Sequence, residues 1–246
     1  MNRTLKLVLD IVIGAVIPVL ILNNLNEQLG TVMTYIAAAM VSVAWVLIDL
    51  FLITRRFNFI SSYVGTFAIG RGLLSFWFVD GLLYAIKDSA GFIFATLIFG
   101  GSMLLRRPIM YYFIVQGFNP SSLKQERSLK RLLKESRVRR ALLQGTKLVL
   151  IVSILSGLAN FFLNLKIVEA SFGTVAFNQQ VAQVNAITII ALSIPEFIGF
   201  WIAVVSTRRA MFHYLPIEDD EDQDESDFWE LLQLRESQIK DSTSYL

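Results

Sequence analysis

Apolar and polar positions fall along this chain in long blocks, not at the short periods of a water-soluble fold. Residues 7 to 24, LVLDIVIGAVIPVLILNN, form the first apolar block. Residues 31 to 54, TVMTYIAAAMVSVAWVLIDLFLIT, form the second, after a polar turn holding Asn23, Asn24, Asn26, Glu27 and Gly30. A hydrocarbon core about 30 Å thick needs about 20 helical residues to cross, so each block predicts one membrane span. The 49 residues between Arg56 and Arg106 exceed one crossing and fit two, at 57 to 77 and 86 to 105, with Asp80-Gly81 at the turn between them. Two more spans follow at 148 to 165 and 184 to 206, separated by a polar turn containing Lys166, Glu169, Asn178, Gln179 and Gln180. The pattern predicts an all-α integral membrane protein with six transmembrane helices within residues 1 to 210.

Arg3 and Lys6 before the first block raise the possibility of a signal peptide. Asp10 and Pro18 inside the block, the lack of a small-residue cleavage site and the further apolar blocks argue against it. The second block carries Ala38 and Ser42 on one face, suited to close helix packing.

Charge adds a second element type. Residues 119 to 147 hold nine Lys or Arg against two Glu, with Leu123, Leu129, Leu132 and Leu133 on one side and Asn119-Pro120-Ser121 as a start signal. That predicts a basic amphipathic cytoplasmic helix lying on anionic lipid headgroups. Before it, Tyr111 and Tyr112 suit headgroup depth. Of 22 Lys and Arg, only Arg71, Lys87 and Lys166 fall on the opposite side, which predicts a multi-pass protein of the plasma (inner) membrane with both termini cytoplasmic.

Residues 211 to 246 form an acidic cytoplasmic tail, with nine Asp or Glu between Glu218 and Glu230 and no base among them. Such a block is usually solvated. Phe228-Trp229 and Leu231-Leu232 offer an apolar anchor for docking on the basic helix. A Debye length of about 8 Å at physiological salt weakens the Coulomb attraction, which favours a free tail able to meet a protein partner.

Composition sharpens the class. The chain has 246 residues, 54% of them hydrophobic, and a mean hydropathy of +0.57, values of a membrane protein. It has no Cys and one His, His213, so a Cys or His metal cluster, thiolate catalysis and a Ser–His–Asp set on the outer side are excluded. No cofactor motif survives its context: GRGLLS at 70 to 75 lies in a membrane run with no strand before it. The basic segment lacks the interleaved aromatics of a nucleic-acid surface, and lipid phosphate suits it better.

Polar groups inside apolar blocks are the candidate functional residues. Asp10 shares a face with Gly14 and Pro18. Arg71 lies about 21 Å along its helix from Phe57 and must either snorkel outward or meet a carboxylate such as Asp80 or Asp88. Lys87 and Asp88 stand at the outer mouth of the fourth span, Asn160 and Asn164 share a face of the fifth, and Glu196 follows Pro195 mid-span in the sixth. These groups either line a solute or proton path or serve as packing glue between helices.

Four stretches carry a resemblance: LDIVIGAVIPVLI at 9 to 21, Lys87-Asp88-Ser89 with Gly91, SMLLRRPIMYY at 102 to 112 with its Arg107-Pro108, and RVRRALLQGTKLVLIVSILSGLANF at 137 to 161. Over about residues 5 to 210 the chain resembles a family of small bacterial inner-membrane proteins distantly similar to intracellular septation protein A, a polytopic protein implicated in envelope integrity and septum formation. Asn160 departs from that family, whose members often carry charge there. The resemblance implies a non-enzymatic scaffold or interaction protein of the cell envelope. The competing expectation is a small-solute or proton-coupled transporter using Arg71, Lys87, Asp88 and Glu196.

Overall fold

The structure is a computed structural model that describes residues 9, 12–54, 66–67, 69–70, 72–216 and 228–244. Every regular element among these residues is helical. Besides a single helical turn at Asn26–Leu29, the helices are α1 (Ile17–Asn24), α2 (Thr31–Ile48), α3 (Gly81–Asp88), α4 (Ala90–Leu104), α5 (Met110–Phe118), α6 (Leu123–Leu132), α7 (Ser136–Ile167), α8 (Val175–Ala191), α9 (Ser193–Phe212) and α10 (Phe228–Ser244). Two π-helical stretches join them, Val12–Val16 before α1 and Asp49–Thr54 after α2. Most of the expected 57 to 77 span lies outside the described residues, as do Asp10 and Arg71.

Prolines set two of the helix boundaries. Pro18 has no N–H to return to Gly14, and the backbone passes from π to α geometry beside it. Pro195 likewise cannot donate to Ala191, the residue at which α8 ends.

Three stretches are long and apolar enough to cross a membrane: Thr31–Ile48, Ser136–Ile167 and the α8–α9 run Val175–Phe212. The pair α3 and α4, bent by 45°, is a fourth candidate. The protein is therefore all-helical with membrane-spanning character. Two of these stretches outrun a bilayer: the 32 residues of α7 and the 38 of α8–α9 extend for about 48 and 57 Å.

Several expected boundaries move. The helix expected over 86 to 105 starts at Gly81 and breaks at Ser89, so Lys87 and Asp88 close a first half-helix instead of opening a span. Asn178, Gln179 and Gln180 are helical: the connection is only 168 to 174, and Thr174 caps α8 by accepting from the Phe177 N–H at 3.1 Å. The basic segment is not one helix over 119 to 147. Asn119 ends α5 in a left-handed conformation (φ 47°), Ser122 caps α6 by accepting from the Gln125 N–H at 3.2 Å, and Ser136 onward belongs to α7.

The chain divides into two compact units, Met1–Leu97 with Ile151–Phe197 and Ile98–Leu150 with Ile198–Leu246. The core of the first joins Leu22, Tyr35, Ala38, Tyr84, Val168, Phe177, Val181 and Val184. The core of the second joins Met110 and Ile114 of α5, Leu129 and Leu132 of α6, Val138 and Leu142 of α7, Met211 and Phe212 of α9 and Phe228, Leu231 and Leu232 of α10. The expectation of a free tail is thus corrected for its distal part, since Phe228–Ser244 is a helix whose apolar stripe is buried. Residues 217–227, which carry most of the acids, lie outside the described residues.

Candidate functional site

A buried polar cluster forms where α3 meets α7 in the first unit. Consecutive helical residues do not face one another, so Lys87 and Asp88 point into different surroundings. The Lys87 ammonium donates to the Trp77 carbonyl at 2.7 Å and lies 4.8 Å and 5.4 Å from the ring centres of Tyr35 and Tyr84. Only 5% of Lys87 is exposed, so a carbonyl dipole and two ring faces stand in for its lost hydration.

The Asp88 carboxylate is held from α7. One of its oxygens accepts from the Asn160 amide at 3.1 Å and from the Asn164 amide at 2.9 Å, and Asn160 also donates to Ser89 Oγ at 3.1 Å. The two asparagines belong to a polar row, Ser153, Ser156, Asn160 and Asn164, that is buried along one face of an otherwise apolar helix. Glu196 of α9, half-buried, lies within electrostatic reach of Ser156 in the same row. Asn164 Oδ1 is buried with no hydrogen-bond partner.

Close packing brings the two helices together. A Cβ on Gly157 would stand 2.8 Å from Phe92 Cβ, so only glycine permits this approach of α7 to α4. The bend between α3 and α4 at Ser89 turns Asp88 toward α7 within the same stretch.

The three turns expected on one side of the membrane meet in this unit. Asp80 accepts from the Phe172 N–H at 3.1 Å, and Thr31 donates to the Gly173 carbonyl. Asn178 donates to Asn26 Oδ1 at 2.6 Å and to the Thr31 carbonyl at 2.8 Å. Phe172 stacks on Phe78 at 5.0 Å and meets Tyr35 edge-on at 5.6 Å, which closes the turns over Lys87.

Of the residues singled out by sequence, Asp80, Lys87, Asp88, Asn160 and Glu196 belong to this unit. Arg107 and Pro108 belong to the other, in the turn that ends α4. There the Arg107 N–H donates to the Ser102 carbonyl at 2.9 Å, its side chain is exposed, and Pro108 is buried. Ser89 was singled out with Lys87 and Asp88, whereas Ser156 and the Trp77 carbonyl were not anticipated. Ser156 was legible as part of the helical-period row on α7 that includes Asn160; the Trp77 carbonyl has no sequence signal.

The cluster offers a fixed carboxylate acceptor and a fixed ammonium donor, each facing neutral partners. Among the described residues of the cluster, none is a nucleophile held by a base. Outside it, the basic residues of α6 stay on the surface, where Lys130 donates to Glu126 at 2.5 Å. That hydrogen bond raises the lysine above its ordinary range. Among known protein families, curated proteins and solved structures, none matches this chain.

Proposed function

We propose that this protein is a non-enzymatic scaffold of the bacterial cell envelope, related in role to septation protein A. It crosses the inner membrane six times with both termini cytoplasmic. The observation that carries the reading is the second unit: α5, α6, the start of α7 and α10 pack into an apolar core whose outer surface is basic. A chain that only moved a solute would not need 17 residues of a distal helix folded onto its basic segment. The membrane part is then an anchor whose buried polar groups, Asn164 Oδ1 excepted, satisfy one another.

A photo-crosslinking residue at Leu123, 71% exposed, or at Arg127 tests this in cells expressing the full-length chain. The expected result is a discrete protein adduct that persists in the Asp88→Asn variant. Cysteine labelling tests the six-span arrangement: positions Gly30, Gly81 and Gln179 label from outside in intact cells, and Ser128 and Ser237 do not. Labelling at Ser128 overturns it.

One observation favours the second reading, a small-solute or proton-coupled transporter. Asn164 Oδ1 is buried without a partner while its amide nitrogen holds the Asp88 carboxylate, an arrangement that suits a passing proton carrier or hydrated solute. Flux into proteoliposomes that Asp88→Asn abolishes, with no adduct at Leu123 or Arg127, would replace the scaffold by the transporter.

A further inference from the structure

In the second unit, the first turns of α7 and the last turns of α9 line an open, solvent-exposed surface cavity of ≈ 630 Å³. Arg137, Arg140 and Arg209 line it together with Ser136, Gln144 and Ser206, and its floor is the small apolar pair Ala141 and Ala210. No carboxylate is among the lining residues. The nearest in sequence, Glu135, is engaged elsewhere, accepting from Arg235 at 2.5 Å. Tyr214 fixes one rim, its hydroxyl 3.4 Å from both Ser136 Oγ and the Arg137 N–H.

Three guanidiniums from two helices, with hydroxyl and amide groups between them, match an anion having several oxygen acceptors. Guanidinium groups favour phosphate because their paired N–H groups meet two oxygens at once. The amino end of a 32-residue helix adds positive potential at the same place.

Depth selects among phosphates. Arg209 follows the 184 to 206 span by three positions, about 4.5 Å along the helix. Arg140 and Arg137 precede the 148 to 165 span by 8 and 11 positions, about 12 and 17 Å, so the site runs from the headgroup layer into the water just outside it. Headgroups occupy roughly the 5 to 8 Å beyond each edge of the hydrocarbon core. The cavity also exceeds what one inorganic phosphate needs and falls within the range of small-ligand sites, roughly 300 to 1,000 Å³. We propose that this cavity binds the phosphate-bearing headgroup of an acidic phospholipid, one lipid per chain, with Arg137, Arg140 and Arg209 as its anionic-oxygen donors. The site is independent of the scaffold reading: it anchors the chain to acidic lipid whether or not the chain meets a protein partner.

The test uses the full-length protein purified in a neutral detergent and examined by native mass spectrometry. Phosphatidylglycerol, diphosphatidylglycerol or phosphatidylcholine is titrated in one arm and inorganic phosphate in the other. One tightly retained acidic lipid per wild-type chain is expected. In the triple variant R137Q/R140Q/R209Q its affinity falls by about 100-fold, at about 1 kcal/mol for each basic residue lost. The control triple K124Q/R127Q/K134Q removes the same charge from exposed positions outside the cavity and keeps the lipid. S206D puts a carboxylate into the cavity at an exposed position, and it loses the lipid with its circular dichroism unchanged, which covers the case of a misfolded triple variant.

Equal loss in both triple variants would reduce the effect to diffuse surface charge and overturn the proposal. So would retention of the lipid by S206D, or saturation by inorganic phosphate at concentrations where phosphatidylglycerol does not bind.

Discussion

The two units sort their side chains in opposite senses. In the unit of Met1–Leu97 and Ile151–Phe197, Asn26, Lys87, Asn160, Asn164 and Asn178 are buried, while Leu97, Leu155, Phe162, Ile190 and Phe197 are exposed, Phe197 at 67%. In the other, Leu129, Leu132, Leu142, Leu231 and Leu232 are buried, and Lys124, Arg127, Arg139 and Arg140 face outward. A water-soluble protein rarely exposes a continuous apolar surface on the scale of the first unit. The first unit is ordered as hydrocarbon demands, with its polar groups inward. The α5, α6 and α10 part of the second is ordered as water demands, with apolar groups inward, whereas Leu104, Leu105 and Trp201 of that second unit stay exposed like the first. The comparison also assigns the forces. Hydrogen bonds between side chains specify the first unit, and apolar burial holds the second.

The largest effect that tests this division is in the second unit. Leu231 and Leu232 are 0% and 1% exposed. Truncating a buried leucine to alanine typically costs about 2 to 5 kcal/mol. In Leu231→Ala/Leu232→Ala, α10 should therefore detach. Hydrogen exchange over residues 229 to 238 should lose its protection while amides of α7 keep theirs. Unchanged protection would remove apolar docking as the cause of the tail's fold.

That tail is also where the sequence was least legible. Weighing nine acids against nine bases makes docking a Coulomb problem, and screening then favours a free tail. The decisive signal was the apolar spacing of Phe228, Leu231 and Leu232, which continues through Arg235 on the same helical face. Long apolar blocks made α2 and α7 legible, because length and hydropathy alone select a membrane helix. The Ser89 break and the long reach of α8 were not, since neither changes the hydropathy. Asn178 looks like a turn residue until Asn26 and the Thr31 carbonyl are in reach. In the candidate site, the Asn160–Asn164 row followed from helical period, whereas the Trp77 carbonyl as the lysine's partner depends on where the chain folds back.

A smaller effect separates helix packing from local propensity. In Gly157→Ala the new methyl would meet Phe92 Cβ, an atom held close to its own backbone, and overpacking of this kind costs about 1 to 3 kcal/mol. Gly100→Ala places the same methyl where no atom lies within 4 Å, and it should leave stability within about 0.5 kcal/mol of the parent. Thermal unfolding in detergent, followed by circular dichroism, measures both. Equal shifts would mean that helix propensity, and not the close approach of α7 to α4, governs this position.

The polar cluster should respond more weakly still. Hydrogen bonds between membrane helices average about 0.6 kcal/mol in double-mutant cycles and reach about 1.7. A cycle of Asp88→Ala and Asn164→Ala should give a coupling in that range, with the double variant less destabilised than the sum of the singles. Strict additivity would show that the 2.9 Å contact contributes nothing, and the first unit would then be held by packing alone.

The smallest effect concerns the ion pairs around α10. Arg131 meets Glu236 at 2.7 Å and Arg235 meets Glu135 at 2.5 Å, so charge does connect the tail helix to the basic segment. The Arg131 side chain is 68% exposed, and exposed pairs usually contribute about 0.2 to 1 kcal/mol. Arg235 is the more enclosed, with its side chain 12% exposed, and its pair should matter more. Raising salt from 0.15 to about 1 M shortens the Debye length from about 8 to about 3 Å. If burial of Phe228, Leu231 and Leu232 dominates, protection of α10 amides should fall by less than about tenfold over that range. Glu236→Gln should have almost no effect, and Glu135→Gln a slightly larger one. Release of α10 by salt alone would reverse the assignment of forces and make the docked tail an electrostatic latch after all.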